Sequence, residues 1–194
     1  MNKKLRVLLL DESSERTFTL VQALSDSGFD VVARIECSDN LALQVSTISP
    51  DIIIIDMEKP DEHTLMHLKT ISTEHPRPVV MFTAEEDSTT INAAIQAGVS
   101  AYVVDNLSPS RVKPIVEVAI ARFQHMRKLM SELDSTRVKL SQRRVIDQAK
   151  GIIMNRRGIN EEQAYGVLRK MAMEKSDSVI DVARNIIEVS EMLS

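Results

Sequence analysis

The chain has few of the residues on which several common classes of protein depend. Its 194 residues include one cysteine, no tryptophan and 3% aromatic residues. The single cysteine, Cys37, cannot form an internal disulfide, and no Cys/His spacing fits a zinc site. The first apolar run, Leu5–Leu10, is too short for a signal peptide or a membrane helix. We therefore expect a soluble cytoplasmic protein.

Charge is divided unevenly along the chain. Residues 1–110 hold 8 Lys/Arg and 17 Asp/Glu, a balance of −9, whereas residues 111–194 hold 16 and 11, a balance of +5. Within the second part, residues 137–157 carry seven basic side chains and one acid. Such a local reversal of sign indicates a polyanionic partner, because each cation that neutralises a phosphate releases condensed counterion. A basic, solvated helix face is the alternative.

Alternating apolar runs and helical segments fill the first half of the chain. Strands are predicted over Leu5–Leu10, Asp30–Ile35, Asp51–Ile55, Val79–Phe82 and Ala101–Val104, and helices over Ser14–Ser27, Asn40–Ile48, Asp61–Thr73 and Asp87–Ala97. Residues 52–55 are apolar at consecutive positions, which is typical of a parallel strand covered on both faces. Five βα units predict an α/β fold with a doubly wound five-stranded parallel sheet, with its chemistry at the carboxyl ends of the strands.

Carboxylates follow two of these strands. Asp11 and Glu12 come directly after the first strand, and Asp56 ends the central one. Carboxylates that meet at one edge of a sheet repel each other unless a cation or a raised pKa intervenes. With Thr83 after the fourth strand and Tyr102 in the fifth, residues 1–107 resemble the receiver domain of bacterial response regulators. The resemblance implies that Asp11, Glu12 and Asp56 bind Mg²⁺. It also implies that Asp56 accepts a phosphoryl group, to which Thr83 and Tyr102 respond as switch residues.

One position departs from the receiver pattern. The family has a lysine three residues after the aromatic residue, where this chain has Asp105, followed by Asn106 instead of proline. An aspartate there repels a phosphoryl group by roughly 3 kcal/mol, for unit charges about 5 Å apart at an effective dielectric near 20. A degenerate receiver that serves as a docking surface is therefore favoured slightly over a phosphorylated switch.

Heptad spacing predicts a helical linker over residues 108–140. Apolar residues recur at alternating steps of four and three, as in the seam of a two-stranded coiled coil. The predicted dimer contacts are Val112, Val116, Ala119, Phe123, Met126, Met130, Leu133 and Leu140, interrupted only by Arg137. An amphipathic helix packed on its own domain explains the first half of this pattern, but we favour a homodimer.

Residues 141–194 are predicted to form three short helices. The first spans about Gln142 to Arg157 and stops at Gly158. Asn160 and Gln163 have the spacing of a capping box at the start of the second. Ser178 with Asp181 is expected to begin the third in the same way.

The run Ala149-Lys150-Gly151-Ile152-Ile153-Met154, with Gly158, Ala164, Leu168-Arg169 and Ala172 downstream, resembles the ANTAR domain. This is a three-helix RNA-binding module of bacterial transcription antiterminators. Stacking platforms are excluded, because beyond Phe123 the only aromatic residue is Tyr165. Binding is therefore expected to come from polar and basic side chains on helices. The candidate RNA contacts are Arg143, Arg144, Gln148, Lys150, Arg156, Arg157 and Arg169, with Arg169 equally suited to an intradomain ion pair.

The order receiver, coiled coil, ANTAR is most similar to the NasT group, among regulators of the AmiR/NasR type. The resemblance implies a target of two hairpins in a leader RNA, stabilised against an overlapping terminator. It also implies control of nitrate and nitrite assimilation through a sensor protein of the NasS type. Two alternatives remain: a DNA-binding response regulator, and a phosphotransfer protein that turns over an aspartyl phosphate. Asp105 argues against the second, and no arrangement of residues suggests an enzyme's nucleophile.

Overall fold

The computed structural model of the protein describes residues 4–12, 14–36, 41–104 and 108–192, and side chains from residue 18 onward in the second of these ranges. The predictions that involve Cys37, Asp105 and Asn106 lie outside these residues. By its contacts the chain divides into two compact units, residues 1–127 and 128–194. This division falls inside the predicted linker, and the three domain boundaries proposed from the sequence stay predictions.

The first unit contains one five-stranded parallel sheet, as predicted. Its strands are β1 (Arg6–Asp11), β2 (Asp30–Ile35), β3 (Ile52–Asp56), β4 (Val79–Thr83) and β5 (Ala101–Val104). Their spatial order is β2-β1-β3-β4-β5, and every pairing is parallel. All five residues of β3 are buried, in agreement with its consecutive apolar residues. The carboxyl ends of β1 and β3 lie side by side, with Asp11 in register with Asp56.

Four helices connect the strands of this sheet. They are α1 (Ser14–Asp26), α2 (Leu41–Ile48), α3 (Glu62–Glu74) and α4 (Ser88–Gln96). Asp61 and Asp87 cap the last two by accepting hydrogen bonds from backbone N–H groups of the first turn. Gly98 follows α4 at a φ of 103°, where a Cβ would lie 2.5 Å from the Cβ of Ser72. Glycine is therefore required there by both conformation and space.

Strand alternation divides the core of the first unit between the two faces of the sheet. Leu8, Leu10 and Ile53 belong to one buried cluster, which also includes residues of α2, α3 and α4. Alternate strand residues such as Leu9 and Ile54 belong to the other, which is completed by α1 and the following long helix. Both faces are therefore covered, as a doubly wound fold requires.

A single helix, α5 (Pro109–Arg157), replaces the two predicted helices. The predicted break near residue 141 is wrong, because no glycine or proline lies between Pro114 and Gly151 to interrupt the helix. The first three predicted dimer contacts also differ from expectation. Val112, Val116 and Ala119 are fully buried in the core of their own unit, so they are not available to a second copy.

Two further helices complete the second unit. α6 (Glu161–Lys175) begins with the predicted capping box, in which Asn160 and Gln163 each accept a hydrogen bond from the other's backbone N–H. α7 (Val179–Met192) begins after Ser178, which exchanges hydrogen bonds with Asp181. Their core contains Ala149, Ile153, Ala164, Leu168, Ala172, Val182 and Ala183, all buried. Within the described ranges, no helix has the length and apolar character that a membrane span needs.

Candidate nucleic-acid interface and receiver pocket

The receiver pocket lies at the carboxyl ends of β1 and β3. Asp11 and Asp56 are both 4% exposed, and the backbone N–H of Glu12 donates to the carbonyl oxygen of Asp56 at 3.4 Å. Burial raises the pKa of Glu12, and the nearby carboxylate of Asp61 raises it further. The sequence therefore brings its three predicted metal ligands into one region, where carboxylates destabilise each other's charge.

Arg34 supplies a positive charge to this pocket from within the chain. It is the penultimate residue of β2, the strand next to β1. Its guanidinium donates a hydrogen bond to Oδ2 of Asp11 and forms an ion pair with it. The Asp11 side chain is 1% exposed, whereas that of Arg34 is 48% exposed. The ion pair therefore joins a buried carboxylate at the end of β1 to a half-exposed guanidinium on the neighbouring strand.

This arrangement does not fit a divalent cation. Receiver domains generally bind Mg²⁺ at this pocket, and we expected Asp11, Glu12 and Asp56 to do so. Among the described residues, no group of three Asp, Glu, His or Cys side chains is placed to hold a metal ion. Since Oδ2 of Asp11 is engaged by Arg34, a Mg²⁺ ion would compete with an internal guanidinium for this carboxylate.

The predicted switch residues contact the loops around the pocket. The hydroxyl of Thr83 donates to the carbonyl oxygen of Glu58 at 2.7 Å and accepts from the N–H of Glu85 at 3.1 Å. The hydroxyl of Tyr102 donates to the carbonyl oxygen of Glu85 at 3.1 Å. Thr83 therefore connects the loop after β3 to the loop after β4, and Tyr102 connects β5 to the loop after β4.

An ion pair joins the same two loops. Nζ of Lys59 lies 2.8 Å from Oε2 of Glu85. The hydrogen bond raises the pKa of Lys59 and lowers that of Glu85. A basic residue from a neighbouring loop could replace the lysine that the receiver pattern lacks, and Lys59 is such a residue. Its ammonium group instead neutralises Glu85, so it is a weak counterpart for a phosphoryl group.

In the second unit, Lys150 is the most enclosed of the predicted RNA contacts. Its Nζ lies 2.6 Å from Oδ1 of Asp147 and 2.6 Å from Oε1 of Glu161, and its side chain is 13% exposed. These two hydrogen bonds raise the pKa of Lys150, and Lys150 lowers that of Asp147. Glu161 is in the first turn of α6, so Lys150 joins α5 to the start of the next helix. The geometry favours a structural role for this lysine over direct contact with phosphate.

The other predicted RNA contacts are accessible. Arg143 forms a loose pair with Asp147 at 3.8 Å and is otherwise exposed. The remaining predicted cations are all exposed: Arg144, Arg156, Arg157 and Arg169. None of them forms an ion pair with a described residue. Gln148 is exposed as well. The intradomain ion pair considered for Arg169 is thus not formed within the described part of the chain, and this arginine is available to a partner.

Sequence reasoning missed several residues of these sites. Arg34 could have been found from its position at the end of a strand beside Asp11. Asp147 and Lys150 have the i,i+3 spacing of a helical ion pair. Glu161, Lys175 and Asn185 meet residues of α5 only after three helices have packed, and no local pattern signals such a meeting.

Comparison with known proteins first identifies the class. The family model of the response regulator receiver domain matches residues 7–117, more than half of the chain, which therefore belongs to this family. A signal receiver domain of a modulated diguanylate cyclase from Desulfovibrio desulfuricans G20 superposes with a TM-score of 0.56 at 17% identity, over 64% of this chain and 99% of that one. The response regulator domain of Thermotoga maritima CheB gives 0.52 at 21%, over 63% and 98%. At such identities these likenesses show the fold alone.

The C-terminal part then identifies the subfamily. The family model of the ANTAR domain matches residues 134–187. The transcriptional regulatory protein PdtaR of Mycobacterium tuberculosis is 25% identical over 183 residues, which are 94% of this chain and 89% of that protein. A nitrate regulatory protein of Klebsiella oxytoca is 30% identical over 88 residues, 45% of this chain and 22% of that protein. The protein is an ANTAR-domain response regulator.

Proposed function

We propose that this protein is an RNA-binding transcription antitermination regulator that acts on hairpins of a leader RNA. The observation that carries the proposal is the ANTAR match over residues 134–187, on a helical unit in which four exposed arginines form no ion pair with a described residue: Arg144, Arg156, Arg157 and Arg169. Cations that no carboxylate neutralises can bind phosphate without first breaking an ion pair. In the absence of stacking aromatics, such cations supply the electrostatic part of the affinity.

Selection of bound transcripts tests this proposal directly. The full-length protein is crosslinked in the cell, and the attached RNA is sequenced. A recurrent leader with two hairpins is expected, and addition of the protein to transcription of that leader in vitro should raise terminator readthrough. Recovery of duplex DNA fragments without a recurrent RNA would favour the DNA-binding alternative and contradict the proposal.

We further propose that the protein acts as a homodimer joined along α5. Met126, Met130, Leu133 and Leu140 are all at least half exposed, at 54, 57, 50 and 52%. Contiguous apolar surface of this kind is rare on monomers. A dimer also suits two hairpins, since the second contact becomes intramolecular once the first has formed.

Matched substitutions on one helix distinguish a dimer seam from general surface hydrophobicity. Leu133 belongs to the seam, whereas Val138 is 55% exposed and lies outside the heptad positions. Leu133→Asp is expected to convert the dimer to a monomer in light scattering, and Val138→Asp is expected to leave it intact. A wild-type monomer at all concentrations would contradict the dimer.

Control through the receiver-like domain is proposed to depend on docking more than on phosphorylation. The Arg34–Asp11 ion pair and the Asp105 substitution support this view.

A sensor of the NasS type that responds to nitrate or nitrite is the partner we propose, and the partial similarity to a nitrate regulatory protein supports it. Co-purification with such a sensor, and its release by nitrate, tests the partner. Stoichiometric modification of Asp56 by a small phosphodonor with Mg²⁺ would contradict the preference for docking.

A further inference from the structure

Glu85, in the loop after β4, makes polar contacts through both its side chain and its backbone. Its two carboxylate oxygens have different partners. Oε2 lies 2.8 Å from Nζ of Lys59, and Oε1 accepts the backbone N–H of Asp87 at 3.0 Å. The backbone N–H of Glu85 donates to the hydroxyl of Thr83, and its carbonyl oxygen accepts from the hydroxyl of Tyr102. One residue therefore contacts the loop after β3, both predicted switch residues and the cap of α4.

The contacts of the Glu85 carboxylate extend to the start of α4. Asp87, whose N–H it accepts, caps this helix by accepting the backbone N–H of Thr90 at 3.0 Å. The Glu85 side chain is 16% exposed and that of Lys59 is 71% exposed, so the ion pair is shielded from water on one side. Through Glu85, the ion pair links the loop after β3 to the first turn of α4.

The hydroxyl of Thr83 is already engaged as a donor. A hydroxyl group has a single hydrogen, which Thr83 donates to the carbonyl oxygen of Glu58 at 2.7 Å. A phosphoryl group on Asp56 could receive that hydrogen only if the bond to Glu58 were broken. Lys59 would likewise have to leave Glu85. The two side chains that could respond to a phosphoryl group therefore have internal partners.

We infer that the Glu85 carboxylate is a conformational latch, an internal anion that takes the place of a phosphoryl group as the partner of Lys59. With Arg34 paired to Asp11, the chain then supplies both a cation and an anion to this end of the sheet. The loop after β4 and the start of α4 keep one arrangement without phosphorylation. The inference rests on the proposed control by docking and deepens it, because a partner meets this surface in a form that phosphorylation does not change.

Amide hydrogen exchange of the full-length protein, read by mass spectrometry, tests the latch. The reporter is the segment of residues 83–88, in which exchange becomes faster when local opening is more frequent. Glu85→Gln removes the charge and keeps a side-chain oxygen that can accept the N–H of Asp87. Lys59→Met removes the other partner of the ion pair. The control is Glu86→Gln, since Glu86 is exposed and has no ion pair with a described residue.

Glu85→Gln and Lys59→Met are each expected to speed exchange of the reporter segment about fivefold, at the upper end of the effect of a surface ion pair. The double variant should exchange no faster than either single variant, because both changes remove the same interaction. Glu86→Gln should exchange as the wild type does. Circular dichroism confirms that each variant is folded.

The response to a phosphoryl mimic tests the replacement itself. Mg²⁺ with beryllofluoride, which imitates a phosphoryl group on a carboxylate, should change exchange of the reporter segment in the wild type by less than about twofold. Since Arg34 also engages Asp11, the same addition is made to Arg34→Ala with and without Glu85→Gln. Only the variant without the Glu85 charge is expected to respond, with exchange slowed about fivefold, because Lys59 is then available to the mimic.

Several results would overturn the inference. Wild-type exchange in both Glu85→Gln and Lys59→Met, or effects that add in the double variant, would show that the pair is not a latch. A segment that slows with the mimic in the wild type, or that fails to slow in Arg34→Ala with Glu85→Gln, would show that Glu85 does not replace a phosphoryl group. Stoichiometric phosphorylation of Asp56 without a change in exchange would contradict control by docking and yet support the latch, so the two failures are distinguishable.

Discussion

The receiver pocket and the C-terminal unit each contain an internal ion pair that involves a residue of the site predicted from the sequence. In the pocket, the buried carboxylate of Asp11 is neutralised by Arg34. In the C-terminal unit, the enclosed ammonium of Lys150 is neutralised by Asp147 and Glu161. The consequences differ. In the pocket, the ion pair engages one of the three predicted metal ligands. The C-terminal unit, in contrast, has further arginines that form no ion pair with a described residue.

In the C-terminal unit, basic residues close together in the sequence have different surroundings. Lys150 lies in the centre of the run that resembles the ANTAR motif, yet its two carboxylate partners connect α5 with α6. Arg156 and Arg157 lie at the end of the same helix without such partners. One basic segment therefore contains both an enclosed, ion-paired lysine and exposed arginines that we propose contact phosphate. Charge in the sequence alone does not distinguish them.

Reversal of the accessible charges should have the largest effect. Arg156→Glu together with Arg157→Glu is expected to weaken binding of a stem-loop from the selected leader RNA by roughly 100-fold or more, and to reduce the slope of log affinity against log salt by about two. The slope falls because each phosphate contact that is lost no longer releases a condensed counterion. The control is Lys69→Glu with Lys113→Glu, which changes net charge equally at exposed positions of the first unit. Gel-shift titrations over a range of salt that give equal losses for both pairs would show that only net charge matters.

Removal of Arg34 should open the receiver pocket to a divalent cation. Arg34→Ala leaves Asp11 without its guanidinium, so Mg²⁺ affinity is expected to rise about tenfold, as local charge becomes more negative. Isothermal titration calorimetry measures this, with Lys69→Ala as a control for loss of a positive charge outside the pocket. The same Mg²⁺ affinity in wild type and Arg34→Ala would show that the ion pair does not exclude the cation.

Lys150 and Arg144 provide a smaller contrast within the C-terminal unit. Lys150→Met should lower the free energy of unfolding by roughly 1–2 kcal/mol, because two charged hydrogen bonds are lost. Arg144→Met should change it by less than about 0.5 kcal/mol, since an exposed side chain without an ion pair is removed. Urea unfolding followed by helical circular dichroism gives both values. Unchanged stability in Lys150→Met would contradict a structural role for this lysine.

The smallest effect concerns pH. Lys150 holds the pKa of Asp147 below its ordinary 3.8. A carboxylate with a depressed pKa in the folded state stabilises the fold above its unfolded pKa, and this stabilisation is lost as pH falls through the lower folded value. The stability difference between wild type and Asp147→Asn should therefore be constant near neutral pH and disappear in acid. A difference that grows on acidification, measured by urea unfolding at several pH values, would contradict the ion pair.

Local features of the sequence predict most of the fold for identifiable reasons. The consecutive isoleucines at 52–55 are typical of a strand covered on both sides, and Asn160 with Gln163 encodes a helix start within four residues. The heptad pattern, in contrast, does not show which apolar residues of the long helix are buried in the first unit and which are exposed. Val116 and Met130 have the same pattern, but one is fully buried and the other is 57% exposed.

The sites are less predictable because they depend on contacts between distant residues. Asp11 and Arg34 are 23 residues apart, and Lys150 and Glu161 are 11 apart on different helices. Each pair forms only when neighbouring elements take their register. Asp56 and Thr83 lie at strand ends as the sequence predicts, and their roles stay predictions. Sequence reasoning could not assign a partner to each charge.

The central claim is that the C-terminal cations recognise folded RNA, and competition between nucleic acids tests it most directly. Affinity of the full-length protein is measured at one physiological salt concentration for a stem-loop from the selected leader RNA and for duplex DNA with the same number of phosphates. The stem-loop is expected to bind at least about 100-fold more tightly than the duplex, since specific complexes exceed electrostatic binding by such factors. Equal affinity for the two would reduce the interaction to general attraction for polyanions and contradict the claim.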